Sequence, residues 1–356
     1  MIFSQNEKLL CDFSLMLRVC ILIVTCVLTT SSFARPLLWQ THTDDEFLYL
    51  FDLEPFDLKH KIHVGPSAHG IATPDDASMV YVTIEKKGEP HGEVLWIDPT
   101  SKSIIYRLKV GPMPHEIDIT PNGRWLYVPC GDGNYWVVDT TLRQVVKKIE
   151  TGKRPHNTQV SRDGRYMFLS PLGKPGEVTV VDIAANHTVV GTISFSGSAR
   201  PAALSANGKL LFHHVDGLVG FQVADTSQLK VIDTIRHSYD LGWLILYKRQ
   251  GSKSLTTKGF RYCHGLGLRP DQHEIWSVCE ENLAIHDALE PDYKETHLLE
   301  LKGAGYWISF SLDSRFAFVS LAKLNQIAVF DTKTKKIIKY LKTGKGPKRS
   351  LVIDDN

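Results

Sequence analysis

A degenerate repeat runs through almost the whole chain and limits the folds that it can adopt. Each unit has an apolar strand, a tight turn, a strand ending in an aromatic residue and valine, a third strand ending in Asp, and a fourth strand leading into a loop with glycine. Most units follow one another at intervals of about 40–46 residues. Such a period is typical of arrays of one supersecondary unit. The 356-residue chain is therefore predicted to form one large repeat domain.

The turn residues show why the unit is a set of strands. Asn122-Gly123, Asp163-Gly164 and Asn207-Gly208 supply the positive φ angle that tight hairpins need. The flanking runs are rich in Val, Ile, Tyr and Phe and have no helical period. Several third strands end in an aspartate whose side chain can cap the next turn. These aspartates are Asp98, Asp139, Asp182 and Asp331.

Counting the units predicts seven sheets arranged as a β-propeller. A four-stranded antiparallel sheet with an apolar face cannot bury that face alone, and radial stacking of such sheets does bury it. Six inner hairpins begin near His69, His115, His156, Arg200, His264 and Tyr306. A seventh inner strand follows Gly344 but has no later partners, so strands within 37–42, 46–53 and 58–64 are expected to complete its blade. The prediction is an all-β, seven-bladed propeller over residues 35–356, closed by N- and C-terminal strands in one blade.

The strand ends carry a family resemblance. The segments Tyr81-Val82-Thr83, Tyr127-Val128-Pro129 and Phe318-Val319-Ser320 are similar to the Tyr-Val-Thr-Asn strand end of the YVTN-repeat β-propeller family. The resemblance covers nearly the whole of residues 35–356. Related propellers include the haem domains of periplasmic nitrite reductases and lactonase-like proteins. The resemblance implies the fold and leaves the chemistry open, because one fold serves many functions.

Aligning the units brings one position per blade into register. Each of these residues stands seven before the turn residue of its inner hairpin or four after a glycine. They are His69, His115, His156, Arg200, His264, Tyr306 and Lys348. Because inner strands of a propeller surround its axis, the seven side chains are predicted to form a ring at one mouth of the central channel. None of them is acidic, so the ring is predicted to bind an anion such as a carboxylate or phosphate.

Two other interpretations of this ring stay open. A histidine at a strand start can merely hold a loop or a water molecule. Alternatively, His69, His115, His156 and His264 could ligate zinc or copper as neutral imidazoles, although nearby Arg200 and Lys348 disfavour a bare cation. The chain has no Cys-x-x-Cys-His motif, which excludes covalent haem attachment at such a motif. Non-covalent haem bound through a ring histidine remains possible.

The N-terminus has the pattern of a signal peptide. Arg18 precedes an apolar run over 19–28, and Ser32-Phe33-Ala34 fits the small-x-small rule for cleavage after Ala34. An uncleaved anchor is the alternative. Cleavage would give a periplasmic or extracellular protein with no remaining membrane span. The net charge of +2 gives no specific signal for nucleic acid.

One loop departs from the repeat. Residues 236–262 form a long insertion between a fourth strand and the next inner strand. This position predicts that the insertion lies on the face that carries the ring. The insertion carries six basic residues against one acid, Asp240. Long insertions in compact domains are often functional lids, whereas a plain surface loop is the alternative.

The cysteines and paired histidines add further expectations. Cys263 and Cys279 flank one hairpin symmetrically, so a cross-strand disulfide is predicted; free thiols or a Cys263–His264 metal pair are the alternatives. Cys130 is predicted to be unpaired and buried. His213 and His214 are adjacent in a strand and therefore cannot both face the channel.

Three classes of function follow from these features. The first is an exported binding scaffold in which the ring and the insertion hold an anionic small molecule or an acidic segment of a partner protein. The second is a lactonase-like hydrolase or a metal-dependent oxidoreductase that uses ring histidines. The third is a haem or metal carrier. Outside the ring, the catalytic motifs Gly-x-Ser-x-Gly and His-Glu-x-x-His are absent.

Overall fold

A computed structural model describes residues 36–152, 154–238 and 263–354. In these ranges, 28 strands form seven four-stranded sheets, and neighbouring strands in every sheet are antiparallel. A 3-10 turn over Ala322–Leu324 is the helical element of this part of the chain. The seven-bladed propeller is therefore confirmed. The predicted signal peptide, residues 1–34, and positions 239–262 of the predicted insertion lie outside the described residues.

We number the blades so that blades 1 to 6 follow the chain from inner to outer strand. Blade 1 contains β4 (Ala68–Ala72), β5 (Val80–Ile84), β6 (Gly92–Asp98) and β7 (Ser103–Val110). Blade 2 contains β8 (Asp118–Ile119), β9 (Trp125–Pro129), β10 (Asn134–Asp139) and β11 (Gln144–Glu150). Blade 3 contains β12 (Arg154–Val160), β13 (Tyr166–Leu172), β14 (Gly176–Asp182) and β15 (Thr188–Phe195). Blade 4 contains β16 (Ala199–Leu204), β17 (Leu210–Val215), β18 (Gly220–Asp225) and β19 (Lys230–Arg236).

The other three blades have the same build. Blade 5 contains β20 (Cys263–Leu268), β21 (Glu274–Cys279), β22 (Asn282–Asp287) and β23 (Glu295–Glu300). Blade 6 contains β24 (Trp307–Phe310), β25 (Phe316–Leu321), β26 (Gln326–Asp331) and β27 (Lys336–Lys342). Blade 7 contains β28 (Pro347–Ile353), β1 (Leu37–His42), β2 (Phe47–Asp52) and β3 (Leu58–His63).

The inner strands meet around a common axis. The first strand of every blade contacts the first strands of both neighbouring blades, from β4 round to β28 and back to β4. The hydrophobic cores lie between adjacent blades; one core, for example, joins Trp39 and Leu48 of blade 7 to Val82 and Leu95 of blade 1. Outer strands such as β7 alternate between exposed and half-buried residues. Stacking of the sheets thus buries the apolar face that a single sheet leaves open.

The last inner strand closes the ring of blades. Strand β28 pairs antiparallel with β1, with Leu38 opposite Val352 and Trp39 opposite Leu351. This is the shared blade that the sequence predicts. Without this pairing, β28 would have no strand partner in its blade, and β1 would have an unpaired edge.

The predicted turn chemistry is also observed. Gly123, Gly164 and Gly208 have φ angles of 73°, 69° and 69°. The backbone N–H of Thr100 donates to Asp98 Oδ1 at 2.8 Å, and that of Thr334 donates to Asp331 Oδ1 at 2.7 Å. Aspartates at the ends of third strands therefore cap the turns into the fourth strands.

Candidate functional site

The structure places all seven predicted ring residues at the starts of the inner strands. Five lie in the first three residues of β4, β12, β16, β20 and β28. His115 and Tyr306 lie just before β8 and β24. We call this set the channel ring: His69, His115, His156, Arg200, His264, Tyr306 and Lys348.

Six members of the channel ring form a chain of side-chain contacts. The imidazole centroids of His69 and His115, and of His115 and His156, are 3.8 Å apart. His156 and His264 are separated by 6.4 Å, and His264 stacks on Tyr306 at 3.9 Å.

The chain of contacts closes on itself through Tyr306. Lys348 Nζ lies 3.9 Å from the Tyr306 ring centroid, and the Tyr306 hydroxyl lies 3.5 Å from Nε2 of His69. Arg200 has a partner beside the ring, because its Nη2 is 3.2 Å from Asp216 Oδ1. The charge of Arg200 nevertheless contributes to lowering the pKa of His156 and His264, so it lies near both imidazoles.

The channel ring is a packed layer of side chains. His69 and His156 are each 4% exposed, and His264 is 1% exposed. Because neighbouring imidazoles are in direct contact, a planar ligand does not fit between them. A ligand larger than an ion would therefore approach the ring from its face or displace one of its side chains.

The hydrogen-bonding of the imidazoles fixes which nitrogen carries the proton. Nδ1 of His69 lies 2.7 Å from Glu85 Oε1. Nδ1 of His115 faces the His156 carbonyl oxygen at 3.1 Å, and Nδ1 of His264 faces the Tyr306 carbonyl oxygen at 2.9 Å. Nδ1 of His156 contacts Oδ1 of Asn157. A backbone carbonyl oxygen only accepts, so Nδ1 donates in His115 and His264, and the lone pair of these two neutral imidazoles is on Nε2.

Burial keeps these imidazoles neutral. It lowers the pKa of His69 to about 4, although the Glu85 carboxylate opposes the shift. Burial also holds the pKa values of His115, His156 and His264 well below the usual histidine value, with neighbouring histidines and Arg349 acting in the same direction. At neutral pH the ring therefore offers unprotonated nitrogen atoms.

The structure adds charged residues that the repeat alignment missed. Arg349 is 1% exposed; its guanidinium lies 3.7 Å from the Trp307 ring centroid, and its Nη2 lies 3.2 Å from Glu116 Oε2. Burial raises the pKa of Glu116 to about 7, with Arg349 opposing the shift. Glu116 and Arg349 each follow a ring residue by one position, so the repeat alignment could have located both. Glu85 lies just after β5 and has no such signal.

These additions change the electrostatics that the sequence suggested. The aligned position itself carries no acid, but Asp216 pairs with Arg200, Glu116 contacts Arg349, and the charge of Glu85 acts on Lys348. Burial lowers the pKa of Lys348 to about 8. The channel ring is thus a mainly neutral, nitrogen-rich site with cations at its edge.

Two groups of possible metal ligands have their ligand atoms within 4.8 Å of one another in the part of the chain that the structure describes. One is His69, Glu85 and His115 in the channel ring, and the other is His214, Cys263 and Cys279. The carboxylate of Glu85 keeps a lowered pKa despite its burial because of its contact with His69. A carboxylate beside a histidine is a common supporting contact at metal centres.

The cysteines and the paired histidines have the arrangement that the sequence predicts. The disulfide between Cys263 and Cys279 is confirmed, and Cys130 is free and buried. His213 Nε2 contacts Ser170 Oγ of blade 3 at 2.8 Å, whereas His214 Nε2 contacts Ser277 Oγ of blade 5 at 2.8 Å. The two histidines therefore point to opposite faces of their sheet, as the strand period requires.

Fold and site together define a β-propeller with a layer of neutral histidines on its axis. Residues 75–202 match the family model described as the cytochrome D1 heme domain. A solved structure of hydrazine synthase from Kuenenia stuttgartiensis is similar, with a TM-score of 0.66 and 16% identity over 81% of this chain and 95% of that chain.

A second solved structure extends this likeness. Dihydro-heme d1 dehydrogenase NirN in complex with DHE has a TM-score of 0.59 and 14% identity, over 87% of this chain and 64% of the NirN chain. At these identities the two structures show the fold alone. No curated protein matches the chain in sequence. The match to a heme-domain model is confined to blades 1 to 3 and the start of blade 4.

Proposed function

We propose that this protein is an exported β-propeller that binds a metal-containing, anionic small molecule at the channel ring, with an iron tetrapyrrole as the first candidate. The observation that carries the proposal is the shared arrangement of four imidazoles, each with Nδ1 against an oxygen acceptor. Histidines that ligate metals almost always have this second contact, which orients the ring and leaves Nε2 available. Neutral imidazole is also an established axial ligand of haem iron.

The charged residues at the edge of the ring suit the periphery of such a molecule. Lys348 would pair with a carboxylate of the ligand. A groove of about 630 Å³ adds further basic residues, including Lys86, Lys87 and Lys109, although Glu89 and Glu93 also line it. Lys87 lies close enough to influence the pKa values of both Glu85 and Lys348. The groove therefore adjoins the channel ring and has the volume of a small-molecule site.

The donor set fits an iron tetrapyrrole, whereas the packed imidazoles do not admit a macrocycle between them. The proposal therefore puts the ligand on the ring's face, with a ring histidine toward the metal. When bound, the metal would supply redox or Lewis-acid chemistry. The chain's own residues bind the periphery, hold the Nε2 lone pairs in place and limit water at the axis.

Export is part of the same proposal. It is supported by the apolar segment that precedes Ala34 and by the disulfide, since disulfides persist in oxidising compartments. In the described residues no helix is long and apolar enough to span a bilayer. The match of residues 75–202 to a heme-domain model supports the choice of ligand class.

The proposal is tested by titrating the purified full-length protein with haemin and with metal-free protoporphyrin. We expect haemin to give a shifted Soret band and to bind at least tenfold more tightly than the metal-free macrocycle, because an imidazole ligates the iron. His115→Ala and His156→Ala should each weaken haemin binding about tenfold or more, which is about 1.4 kcal/mol. The exposed residue change His273→Ala is the matched control and should leave binding unchanged.

The other outcomes have defined meanings. Equal binding of haemin and metal-free protoporphyrin would contradict ligation by imidazole and favour the anion-binding scaffold. Absence of binding to either molecule, in a protein that is folded by circular dichroism and purifies without transition metal, would overturn the proposed function. If His273→Ala and the ring variants had equal effects on haemin binding, the ligand would not bind at the channel ring.

A further inference from the structure

A second cluster of metal-ligating side chains lies beside the disulfide, at the junction of blades 4 and 5. His214 is in β17, His237 directly follows β19, and Cys263 and Cys279 are in β20 and β21. A ring nitrogen of His214 and the two Sγ atoms all lie within 4.8 Å of one another. Nδ1 of His237 lies 3.7 Å from Cys279 Sγ. Three of these potential ligands from two blades therefore lie within 4.8 Å of one another, and the fourth, His237, contacts Cys279.

The side chains of the cluster are buried. His214 and His237 are each 1% exposed, and Cys279 is 0% exposed. Nε2 of His214 contacts Ser277 Oγ, whereas Nδ1 of His214 is buried and has no hydrogen-bond partner in the described part of the chain. Buried nitrogen atoms are nearly always hydrogen-bonded, so an unmatched one points to an additional partner.

We propose that reduction of the Cys263–Cys279 disulfide converts this cluster into a zinc site with Cys263, Cys279, His214 and His237 as ligands. A dithiol reductant supplies two electrons and two protons, and it is itself oxidised to a disulfide while the S–S bond becomes two thiols. Zn²⁺ then binds both sulfur atoms as thiolates and releases the two thiol protons. This site is separate from the channel ring and does not depend on the proposed function.

The geometry favours zinc once the sulfur atoms separate. Structural zinc sites are tetrahedral, with Zn–S distances of about 2.3 Å and Zn–N distances of about 2.0–2.1 Å. These lengths place neighbouring S and N ligand atoms about 3.5 Å apart. The observed 3.7 Å between Cys279 Sγ and His237 Nδ1 is close to that value. The set of two thiolates and two imidazoles is a common structural zinc composition.

Residues next to the proposed ligands hold them in position. His286 packs against His237 with ring centroids 5.2 Å apart, and its Nδ1 faces the Tyr293 carbonyl oxygen at 2.7 Å. Cys263 directly precedes His264 of the channel ring. The disulfide joins two strands of blade 5, whereas the zinc site would join blade 5 to blade 4. The redox state thus decides which pair of elements is linked.

The test uses Co²⁺ as a spectroscopic probe for Zn²⁺ in the full-length protein. After reduction with a phosphine and removal of the excess, one Co²⁺ per chain should bind and give thiolate-to-cobalt charge-transfer bands. The oxidised protein should give none. His214→Ala and His237→Ala should each weaken Co²⁺ binding at least tenfold, and Zn²⁺ should displace the cobalt. Cys130→Ala and the exposed change His273→Ala are matched controls and should keep the bands.

Each alternative result overturns a defined part of the proposal. Reduced protein without charge-transfer bands would show that the cluster does not bind the metal. Binding that is unchanged in both histidine variants would show that two thiols alone bind it, as they would in an unfolded chain. Equal binding of Co²⁺ by oxidised and reduced protein would show that metal binding does not depend on the state of the disulfide. Circular dichroism of the reduced sample verifies that the propeller is still folded.

Discussion

At the scale of single residues, the histidines of this protein differ by the partner of each ring nitrogen. In the channel ring, the Nδ1 atom of each imidazole faces an oxygen atom. In the cluster near the disulfide, His214 has the opposite arrangement, with Nε2 against a hydroxyl and Nδ1 unmatched among the described residues. The repeat offset predicted where the ring histidines stand. It could not predict their tautomers, because Glu85 reaches His69 from a loop outside the repeat position.

A third type of histidine is His42, which has both nitrogens occupied. It is 0% exposed, Nδ1 lies 2.9 Å from the Phe47 carbonyl oxygen, and Nε2 lies 2.7 Å from Thr343 Oγ1. Burial lowers the pKa of His42 to about 4. Between pH 6.5 and about 4 the unfolded chain therefore binds a proton at this residue that the folded chain does not bind. Acid in this range must reduce the free energy of unfolding.

His42→Gln should remove this contribution. We expect the free energy of unfolding of the wild type to fall more steeply than that of the variant between pH 6.5 and 4, by about 1.4 kcal/mol per pH unit. Urea denaturation at several pH values measures both slopes. The exposed change His60→Gln serves as the control. Parallel curves for wild type and His42→Gln would show that His42 does not titrate differently in the folded state.

At the scale of strands and turns, most of the structure could be predicted because each unit contains its own signals. The turn glycines, the capping aspartates and the β-branched runs all act within a few residues. The short strand β8 is an exception. The N–H of Glu116 donates to the His156 carbonyl oxygen of blade 3 at 3.3 Å, so the start of this segment binds a neighbouring blade. Hydrogen bonds between inner strands have no local signal in the sequence.

Close approach of β4 to the segment before β8 depends on Gly70. An added Cβ would lie 2.5 Å from the His115 carbonyl oxygen and 2.8 Å from the Ile117 nitrogen. Both are backbone atoms that cannot rotate away. Gly70→Ala should therefore lower the free energy of unfolding by about 1–3 kcal/mol, as measured by chemical denaturation.

Gly303→Ala is the matched control for this change. Its Cβ would meet the end of the Leu324 side chain at 3.1 Å, which a small rotation relieves. We expect it to change the free energy of unfolding by about 0.5 kcal/mol or less. If Gly70→Ala behaved in the same way, the close packing of the two blades would not be a requirement of the fold.

At the scale of the whole molecule, the closed ring of blades determines which distant residues meet. The blade count and the shared blade were predictable, since β28 has no later partner in the chain and blade 7 otherwise lacks its inner strand. Contacts across the axis were not predictable. Arg349 of blade 7 reaches Glu116 beside blade 2, although blade 1 stands between these two blades in the ring. Such a contact depends on side-chain length and on the width of the channel, which the repeat pattern does not encode.

The closure makes β28 essential to the cooperativity of the propeller. Removing residues 347–356 would leave β1 as a free edge and would expose core residues of blade 7 such as Leu38, which is 0% exposed. It would also remove Arg349 and its contact with Glu116. We therefore expect the truncated protein to lose a single cooperative thermal transition and to aggregate in size-exclusion chromatography. A protein lacking only residues 355–356 is the control.

Adding the missing strand as a separate peptide distinguishes loss of the β28–β1 pairing from nonspecific destabilisation by the truncation. A synthetic peptide of residues 345–356 can hydrogen-bond to the free edge of β1, as extended peptides do in β-augmentation. Because the register of β28 is fixed by apolar residues such as Val352, the matching peptide should raise the melting temperature of the truncated protein, whereas a scrambled peptide should not. A truncated protein that melted cooperatively within a few degrees of the full chain would show that six complete blades are stable without this closure.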